Sequence, residues 1–155
     1  MVLQATTDHR LIARLNEEVQ QLHARLHPNV FKPYDRAGIE AVLENMMANP
    51  DCYAFVVTLD EKPAGYSVML VKRLPENAFV FKRELLYIDQ IGVLNDYRKT
   101  GVGSLLMEQA EKLANELGIT RIELDHWSAN MIAAKYFRSK GYALYREQLF
   151  KEMRI

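Results

Sequence analysis

A nearly all-apolar run, Leu85 to Val93, constrains the fold most, because a turn and then a helical pattern follow it directly. A continuous apolar run predicts a strand that is covered on both faces, which favours the centre of a sheet. Asn95-Asp96 then turns the chain. Leucines recur at helical spacing from Gly101 to Leu117, and Gly118 is suited to end that helix. This segment therefore predicts a strand, turn and helix at the heart of an α/β domain.

The rest of the chain alternates between helical and strand patterns. Apolar residues at helical spacing predict two helices early in the chain, and a β-rich pair separated by Asp60-Glu61-Lys62-Pro63 predicts a hairpin. The other predicted elements are a strand at Val2 to Ala5, helices at His9 to about Leu26 and after the cap Asp35, strands at Tyr53 to Leu59, Ala64 to Leu74 and Arg121 to Asp125, a helix opened by Asn130, and a last strand at Leu144 to Met153. The order β-α-α-β-β-β-α-β-α-β predicts an α/β fold with helices around a mixed sheet, in one domain over residues 1–155.

Composition narrows the classes of function. Twenty basic and 20 acidic residues give a net charge of zero, which argues against a partner that is nucleic acid. No apolar run is long enough to span a bilayer, so we expect no membrane partner. The first residues lack a signal-peptide pattern, which predicts a cytoplasmic protein. The single cysteine, Cys52, excludes an internal disulfide and is expected to be a buried, inert thiol.

The turn R-K-T-G-V-G, which starts at Arg98, has the composition of a phosphate-binding loop. Its two glycines allow close approach of a ligand to the backbone, and the helix that follows adds the positive end of its dipole. Arg98 and Lys99 add formal charge. The alternative is a tight turn whose glycines serve geometry alone. A dinucleotide-binding turn would need a third glycine where Leu106 stands, and the Walker loop pattern is absent.

The segment Leu85 to Tyr142 resembles the GNAT superfamily of acetyl-CoA-dependent N-acetyltransferases. The likeness rests on R-x-x-G-x-G after a strand that ends in Val93, and on the downstream stretch N-x-x-A…G-Y that begins at Asn130. It implies a GNAT-type mixed sheet that splays apart, and direct transfer of the acetyl group from acetyl-CoA to an amine of a small molecule or a protein. The first half of the chain carries only a generic resemblance.

The resemblance also implies which residues would bind acetyl-CoA. Ile91, Gly92 and Val93 would pair with the pantetheine arm like an added strand. Gly92 would suit a local distortion of the sheet, and the N–H of Val93 would polarise the thioester carbonyl. Asn130 would contact the pantetheine, or act only as a helix cap. The backbone amides expected to hold the pyrophosphate belong to Arg98, Lys99, Thr100, Gly101, Val102, Gly103 and Ser104.

The resemblance implies that the general base is a carboxylate on the strand before this loop, and the candidates there are Glu84 and Asp89, of which Asp89 is favoured. Asp89 interrupts an otherwise apolar run, and a carboxylate there is costly unless it is functional or hydrogen-bonded in a structural role. Gln90 stands where many relatives have an acid, and an amide cannot take a proton.

The stretch between the first two helices is expected to form the acceptor site. His27, Phe31 and Tyr34 would shape that pocket, or simply pack the connection between the helices. His23 and His27 have a spacing that can bind zinc, but no further ligand is near them, so no metal is expected.

The last helix departs from the family pattern in the position of one tyrosine. Relatives place a tyrosine seven residues after the asparagine, as the acid that protonates the CoA thiolate, whereas this chain has Phe137 there and Tyr136 before it. At about 100° per residue, Phe137 lies within about 20° of the direction of Asn130, and Tyr136 about 120° away. Phe137 is therefore expected to face the thioester. Tyr136 is a candidate acid only if the helix is rotated.

Two alternatives to an acetyltransferase remain, and the displaced tyrosine is the sequence reason for the first of them. One is a non-catalytic module that senses acyl-CoA, and the other is a transferase for a longer acyl group. A homodimer is a further expectation, through pairing or exchange of the strand expected at Leu144 to Met153.

Overall fold

The computed structural model describes residues 1–154, which fall into two compact units, Met1–Asp125 and a second unit from His126 onward. That residues 1–155 form a single domain stays a prediction. The first unit contains β1 (Val2–Ala5), α1 (His9–Leu26), α2 (Arg36–Met47), β2 (Cys52–Leu59), β3 (Lys62–Leu74), β4 (Arg83–Val93), a 3-10 turn (Asn95–Tyr97), α3 (Val102–Glu116) and β5 (Ile122–Leu124). The second unit contains α4 (Met131–Ser139).

Five strands form one mixed sheet in the order β1-β2-β3-β4-β5, which confirms the predicted fold class. The pairs β1–β2, β2–β3 and β3–β4 are antiparallel, and the pair β4–β5 is parallel. α1 and α2 bury Ile12, Leu15 and Leu43 against one face of β2 and β3. α3 covers the opposite face, where Val102 and Leu106 are fully buried. β4 thus has a strand on each side over its first half, as its apolar run predicts.

The pairing of β3 with β4 contains a β-bulge at Asp89. Val68 lies opposite Gln90, but the next residue, Met69, lies opposite Ile88, so Asp89 has no residue opposite it. On the other side of β4, β5 pairs only as far as Ile88. From the bulge onward β4 keeps β3 as a neighbour and loses β5, so the sheet opens along residues 89–93.

Gly92, in this open half of β4, is a site of close packing against its neighbours. A Cβ atom there would approach Cε1 of Tyr66 to 2.7 Å and Cγ2 of Val19 to 2.9 Å. The missing side chain therefore makes room for a buried ring and for α1. Gly92 lies within the opened part of the sheet, and the bulged residue itself is Asp89, three residues earlier.

The two N-terminal helices begin differently. Asp8 caps α1 with its carboxylate, which accepts a hydrogen bond from the Leu11 amide at 2.9 Å. Asp35 precedes α2 as predicted, but its side chain makes no capping hydrogen bond, so its expected role as a side-chain cap is wrong.

The strand expected at Leu144 to Met153 does not form, and this prediction is wrong. In the described part of the second unit the chain after α4 has no regular structure, and Leu149 and Phe150 are 89% and 88% exposed. A strand needs a neighbour for its backbone groups. Within residues 1–154 no strand pairs with this segment.

Two glycine-to-alanine substitutions should have opposite effects on stability. Gly92→Ala forces a methyl group against Tyr66 and should lower the free energy of unfolding by about 1–3 kcal/mol. Gly38→Ala, inside α2, meets only the exposed carboxylate of Asp35, which can rotate away. It should raise the free energy of unfolding by up to about 1 kcal/mol. Urea titrations of both variants measure the difference, and an unchanged or raised free energy of unfolding in Gly92→Ala would contradict the close packing at Gly92.

Candidate active site

The second half of β4 presents backbone groups along an unpaired edge. The amide of Leu94 donates to the Ala64 carbonyl at 3.0 Å, and Val93 lies opposite Gly65. Because antiparallel pairs alternate between bonded and non-bonded types, the N–H and C=O groups of Val93 and of Ile91 point away from β3. They point to the edge that β5 has left. This arrangement can bind an extended amide chain.

A buried polar network holds this half of β4 against α1. The side-chain amide of Asn16 donates to the Tyr66 hydroxyl at 2.9 Å and to Oε1 of Gln90 at 3.4 Å, and the Tyr66 hydroxyl donates to the same oxygen at 3.4 Å. Burial raises the pKa of Tyr66 well above its ordinary value, so the hydroxyl keeps its proton. The three side chains satisfy one another in the core and join α1, β3 and β4.

Asp89 lies at the bulge with an exposed side chain. Within residues 1–154 we find no hydrogen bond or ion pair to its carboxylate. Burial, and secondly the charge of Asp89, raise the pKa of the Cys52 thiol to about 11. Cys52 is therefore a protonated, weakly nucleophilic thiol, in line with the inert role expected for it. Asp89 therefore combines an exposed carboxylate with a position at the opening of the sheet.

A tyrosine and an aspartate join β4 to the end of β5 where the two strands separate. The Tyr87 hydroxyl donates to Oδ2 of Asp125 at 2.5 Å, and the ammonium of Lys72 lies 3.3 Å from the centre of the Tyr87 ring. Burial and then the hydrogen bond to Asp125 raise the pKa of Tyr87 well above its ordinary value. Sequence reasoning missed this pair, because 38 residues separate its members.

The loop after β4 has the left-handed turns of a phosphate-binding loop. Lys99 and Gly101 have φ values of 63° and 92°, and Gly101 is the residue that precedes α3. The first backbone bond of α3 runs from the Leu105 amide to the Gly101 carbonyl, so the amides of Val102 and Gly103 stand outside the helical ladder. The exposed Arg98 and Lys99 side chains flank them. Backbone amides, a helix dipole and two cations can together bind a pyrophosphate.

Gly65 allows the first turn of α3 to lie directly on the sheet. A Cβ atom at this position would lie 2.6 Å from Cγ1 of Val102 and 2.9 Å from the Gly92 carbonyl oxygen. The contact places the start of α3 beside the open half of β4. Sequence reasoning missed Gly65, although an isolated glycine inside a strand pattern does signal a close backbone approach.

α4 belongs to the second unit and is capped by Asn130, whose Oδ1 accepts a hydrogen bond from the Ala133 amide at 3.2 Å. Phe137 is 8% exposed and has the rings of His126, Tyr136 and Tyr142 within 6.3 Å of its own. The Tyr136 ring is half-buried, and its hydroxyl oxygen is hidden from solvent. The cap expected of Asn130 is therefore present.

The residues expected at the acceptor site have two different environments. Tyr34 donates to the Ala13 carbonyl at 2.9 Å and lines a surface cavity of about 430 Å³. The other lining residues are Glu17, Gln21, Ala24, Arg25 and Pro33. Phe31 instead lies 4.7 Å from the His23 ring and 6.4 Å from the His27 ring, measured between centroids. His27 and Phe31 pack the connection after α1, and only Tyr34 reaches the cavity.

Among residues 1–154, no three or more histidine, cysteine or acidic side chains are grouped so as to hold a metal ion. No helix in the same range is both long and apolar enough to cross a membrane.

Comparison with known proteins decides the family. The model of the acetyltransferase (GNAT) family matches residues 16–142. The chain belongs to the GNAT family. The match includes the open half of β4, the phosphate-binding loop and α4, which are the parts that carry the motifs.

Solved structures of this fold resemble the chain over nearly its whole length. A tetramutant of the BH1408 protein from Bacillus halodurans has a TM-score of 0.92 at 20% identity, with 99% of this chain and 100% of that one covered. The aminoglycoside 6'-N-acetyltransferase from Acinetobacter haemolyticus has a TM-score of 0.74 at 17% identity, with 100% and 99% covered. An aminoglycoside acetyltransferase from an uncultured soil metagenomic sample has a TM-score of 0.66 at 17% identity, with 99% of this chain and 95% of that one covered. At these identities the likeness shows the fold.

Proposed function

We propose that the chain is an acetyl-CoA-dependent N-acetyltransferase that moves the acetyl group directly to an amine. The observation that carries this proposal is the continuity of two backbone sites. The outward-facing groups of Ile91 and Val93 suit an extended amide chain, and the loop from Arg98 to Gly103 suits a pyrophosphate. CoA is a ligand that contains both parts in one molecule.

The roles of the binding residues follow from this geometry. Ile91 and Val93 pair with the pantetheine arm as an added strand. The Val93 amide polarises the thioester carbonyl, and the amides from Lys99 to Ser104 bind the pyrophosphate. The Arg98 amide already donates to the Asn95 carbonyl, so Arg98 contributes its charged side chain and not its amide. When bound, acetyl-CoA supplies the acetyl group as an activated thioester. Asn130 and Phe137 of α4 are proposed as contacts to the pantetheine and the thioester.

The chemistry then needs a neutral amine and a route for its proton. The amine forms the new C–N bond with the acetyl carbon, the C–S bond breaks, and CoA leaves as its thiolate. We assign Asp89 as the base that takes the amine proton, directly or through water, because its carboxylate is exposed at the bulge. A thiol has a pKa of about 8.5, so the thiolate is a fair leaving group without a strong acid.

The acceptor is proposed to be an amine of a small molecule or a protein. Two structural neighbours are aminoglycoside acetyltransferases, which makes small polycationic amines the first class to test. Tyr34 lines a cavity whose lining includes one acidic residue, Glu17, and one basic residue, Arg25, so its charge does not favour one class of amine.

A thiol-release assay across a panel of amines tests the function. Acetyl-CoA is supplied with aminoglycosides, polyamines, amino acids and lysine peptides, and saturable release of CoA with any of them supports the enzyme. Tight binding of acetyl-CoA without release across the whole panel would favour the sensor.

The alternative is a module that binds acyl-CoA without turnover. Its support is that no solvent-accessible tyrosine hydroxyl is found at the expected place of the acid: position 137 is a phenylalanine, and the hydroxyl of Tyr136 is hidden from solvent. Repeating the assay with longer acyl-CoA thioesters tests the third option, a transferase for a longer acyl group.

Asp89→Asn removes the proposed base while keeping the size of the side chain. The substitution should lower kcat/KM and abolish the fall of activity at low pH, because an amide takes no proton. A pH–rate profile of the variant against the unchanged chain measures this. An unaltered profile would eliminate Asp89 as the base.

Substitutions at positions 136 and 137 test whether a tyrosine acts as the acid. Tyr136→Phe should lower kcat less than tenfold, because its hydroxyl is hidden from solvent. Phe137→Tyr should be tolerated or should raise kcat. Steady-state kinetics at saturating acetyl-CoA give both values. A loss of about a hundredfold or more in Tyr136→Phe would contradict the assigned helix phase.

A homodimer is proposed through the segment from Leu144 to Met153. β5 is the last strand of the sheet, and the segment exposes Leu149, Phe150 and other apolar side chains. Pairing of this segment with a second copy would bury those side chains and satisfy its backbone. Leu149→Asp/Phe150→Asp should shift the chain from dimer to monomer in sedimentation velocity. A monomer before the substitution would contradict the proposal.

A further inference from the structure

Glu18 of α1 reaches the turn that precedes the phosphate-binding loop. Its Oε2 accepts a hydrogen bond from the backbone amide of Asn95 at 2.7 Å, and the side chain is half-buried. Asn95 is the first residue of the 3-10 turn, where a carboxylate satisfies an amide with no partner in the turn. A negative charge on the approach to a phosphate site opposes anion binding, so the carboxylate calls for another explanation.

A short series of hydrogen bonds connects this amide to the loop. The Leu94 carbonyl accepts from the Tyr97 amide at 2.9 Å, and the Asn95 carbonyl accepts from the Arg98 amide at 3.3 Å. The Tyr97 carbonyl then accepts from the Thr100 hydroxyl at 2.6 Å. The turn fixed by Glu18 therefore determines the direction in which the loop starts.

The loop contains a residue that depends on such support. Lys99 has a φ of 63°, and a residue with a side chain adopts this left-handed conformation only when its surroundings impose it. The conformation positions the amides that come next. Anything that loosens the turn at Asn95 removes part of that constraint.

α1 provides the support because it follows the open half of β4. Asn16 contacts Gln90 and Val19 packs over Gly92, while Glu18 bonds to the chain just beyond the end of the strand. One helix thus holds the edge and the turn that follows it.

We propose that Glu18 is a positioning residue for the phosphate-binding loop, acting through the Asn95 amide and without touching the ligand. The proposal rests on the CoA-binding function proposed above. The Glu18 carboxylate acts as a hydrogen-bond acceptor. Its negative charge has a small opposing effect on the affinity for CoA.

Two substitutions separate the acceptor from the charge. Glu18→Gln keeps an oxygen that can accept from Asn95, and Glu18→Ala removes it. Isothermal titration with CoA should show affinity reduced about five- to tenfold in Glu18→Ala and within about twofold of the unchanged chain in Glu18→Gln. Glu111→Ala, which removes an exposed carboxylate from α3, is the control and should leave affinity within about twofold.

A role of charge alone predicts the opposite outcome. Removal of a negative charge near bound phosphates would then tighten CoA binding in both Glu18 variants. That result, or unchanged affinity in Glu18→Ala, would overturn the inference. Failure of the unchanged chain to bind CoA would instead overturn the proposed function.

Hydrogen exchange of the ligand-free protein tests the mechanism without any activity. Glu18→Ala should speed exchange in peptides that span residues 94–104, and Glu18→Gln should leave it slow. Exchange elsewhere in β3 and β4, and the melting temperature, should change little. Faster exchange throughout the sheet in Glu18→Ala would show a general loss of stability and would contradict a role confined to the loop.

Discussion

The buried hydrogen bonds among Asn16, Tyr66 and Gln90 are the constraint on which the rest of the site depends. β4 loses β5 as a neighbour after the bulge, so half of the strand has one free edge. A free edge would bend or pair elsewhere unless it were held from its face. The three side chains supply that hold from α1, and an unsatisfied member would be costly in a core of this kind.

Two glycines complete the arrangement by allowing close approach on both faces. Gly92 admits the Tyr66 ring and α1 on one face, and Gly65 admits the first turn of α3 on the other. The open edge is consequently held by helices above and below, while its N–H and C=O groups are left for a ligand.

The same bulge connects binding with chemistry. The extra residue in the pairing with β3 is Asp89, which directly follows the last residue of β4 that pairs with β5, so an exposed carboxylate lies where the free edge begins. Tyr87 and Asp125 hold the end of β5 at that point. The residues proposed as the base, as the donor to the thioester carbonyl and as the phosphate-binding loop all belong to one continuous stretch of chain, from Asp89 to Gly103.

Local pattern determined the element order as far as α4, the span of α1 at His9–Leu26, and the run from β4 to α3. It also determined the family, because helical period, apolar runs and glycine turns are short-range properties. The strand expected at Leu144 to Met153 failed because a strand is defined by its neighbour, which no local pattern specifies. Only the tertiary structure decided the bulge at Asp89 and the reason for Gly92. It alone also joined Glu18 to Asn95, since such contacts link residues far apart in sequence, and their geometry depends on how helices pack on the sheet.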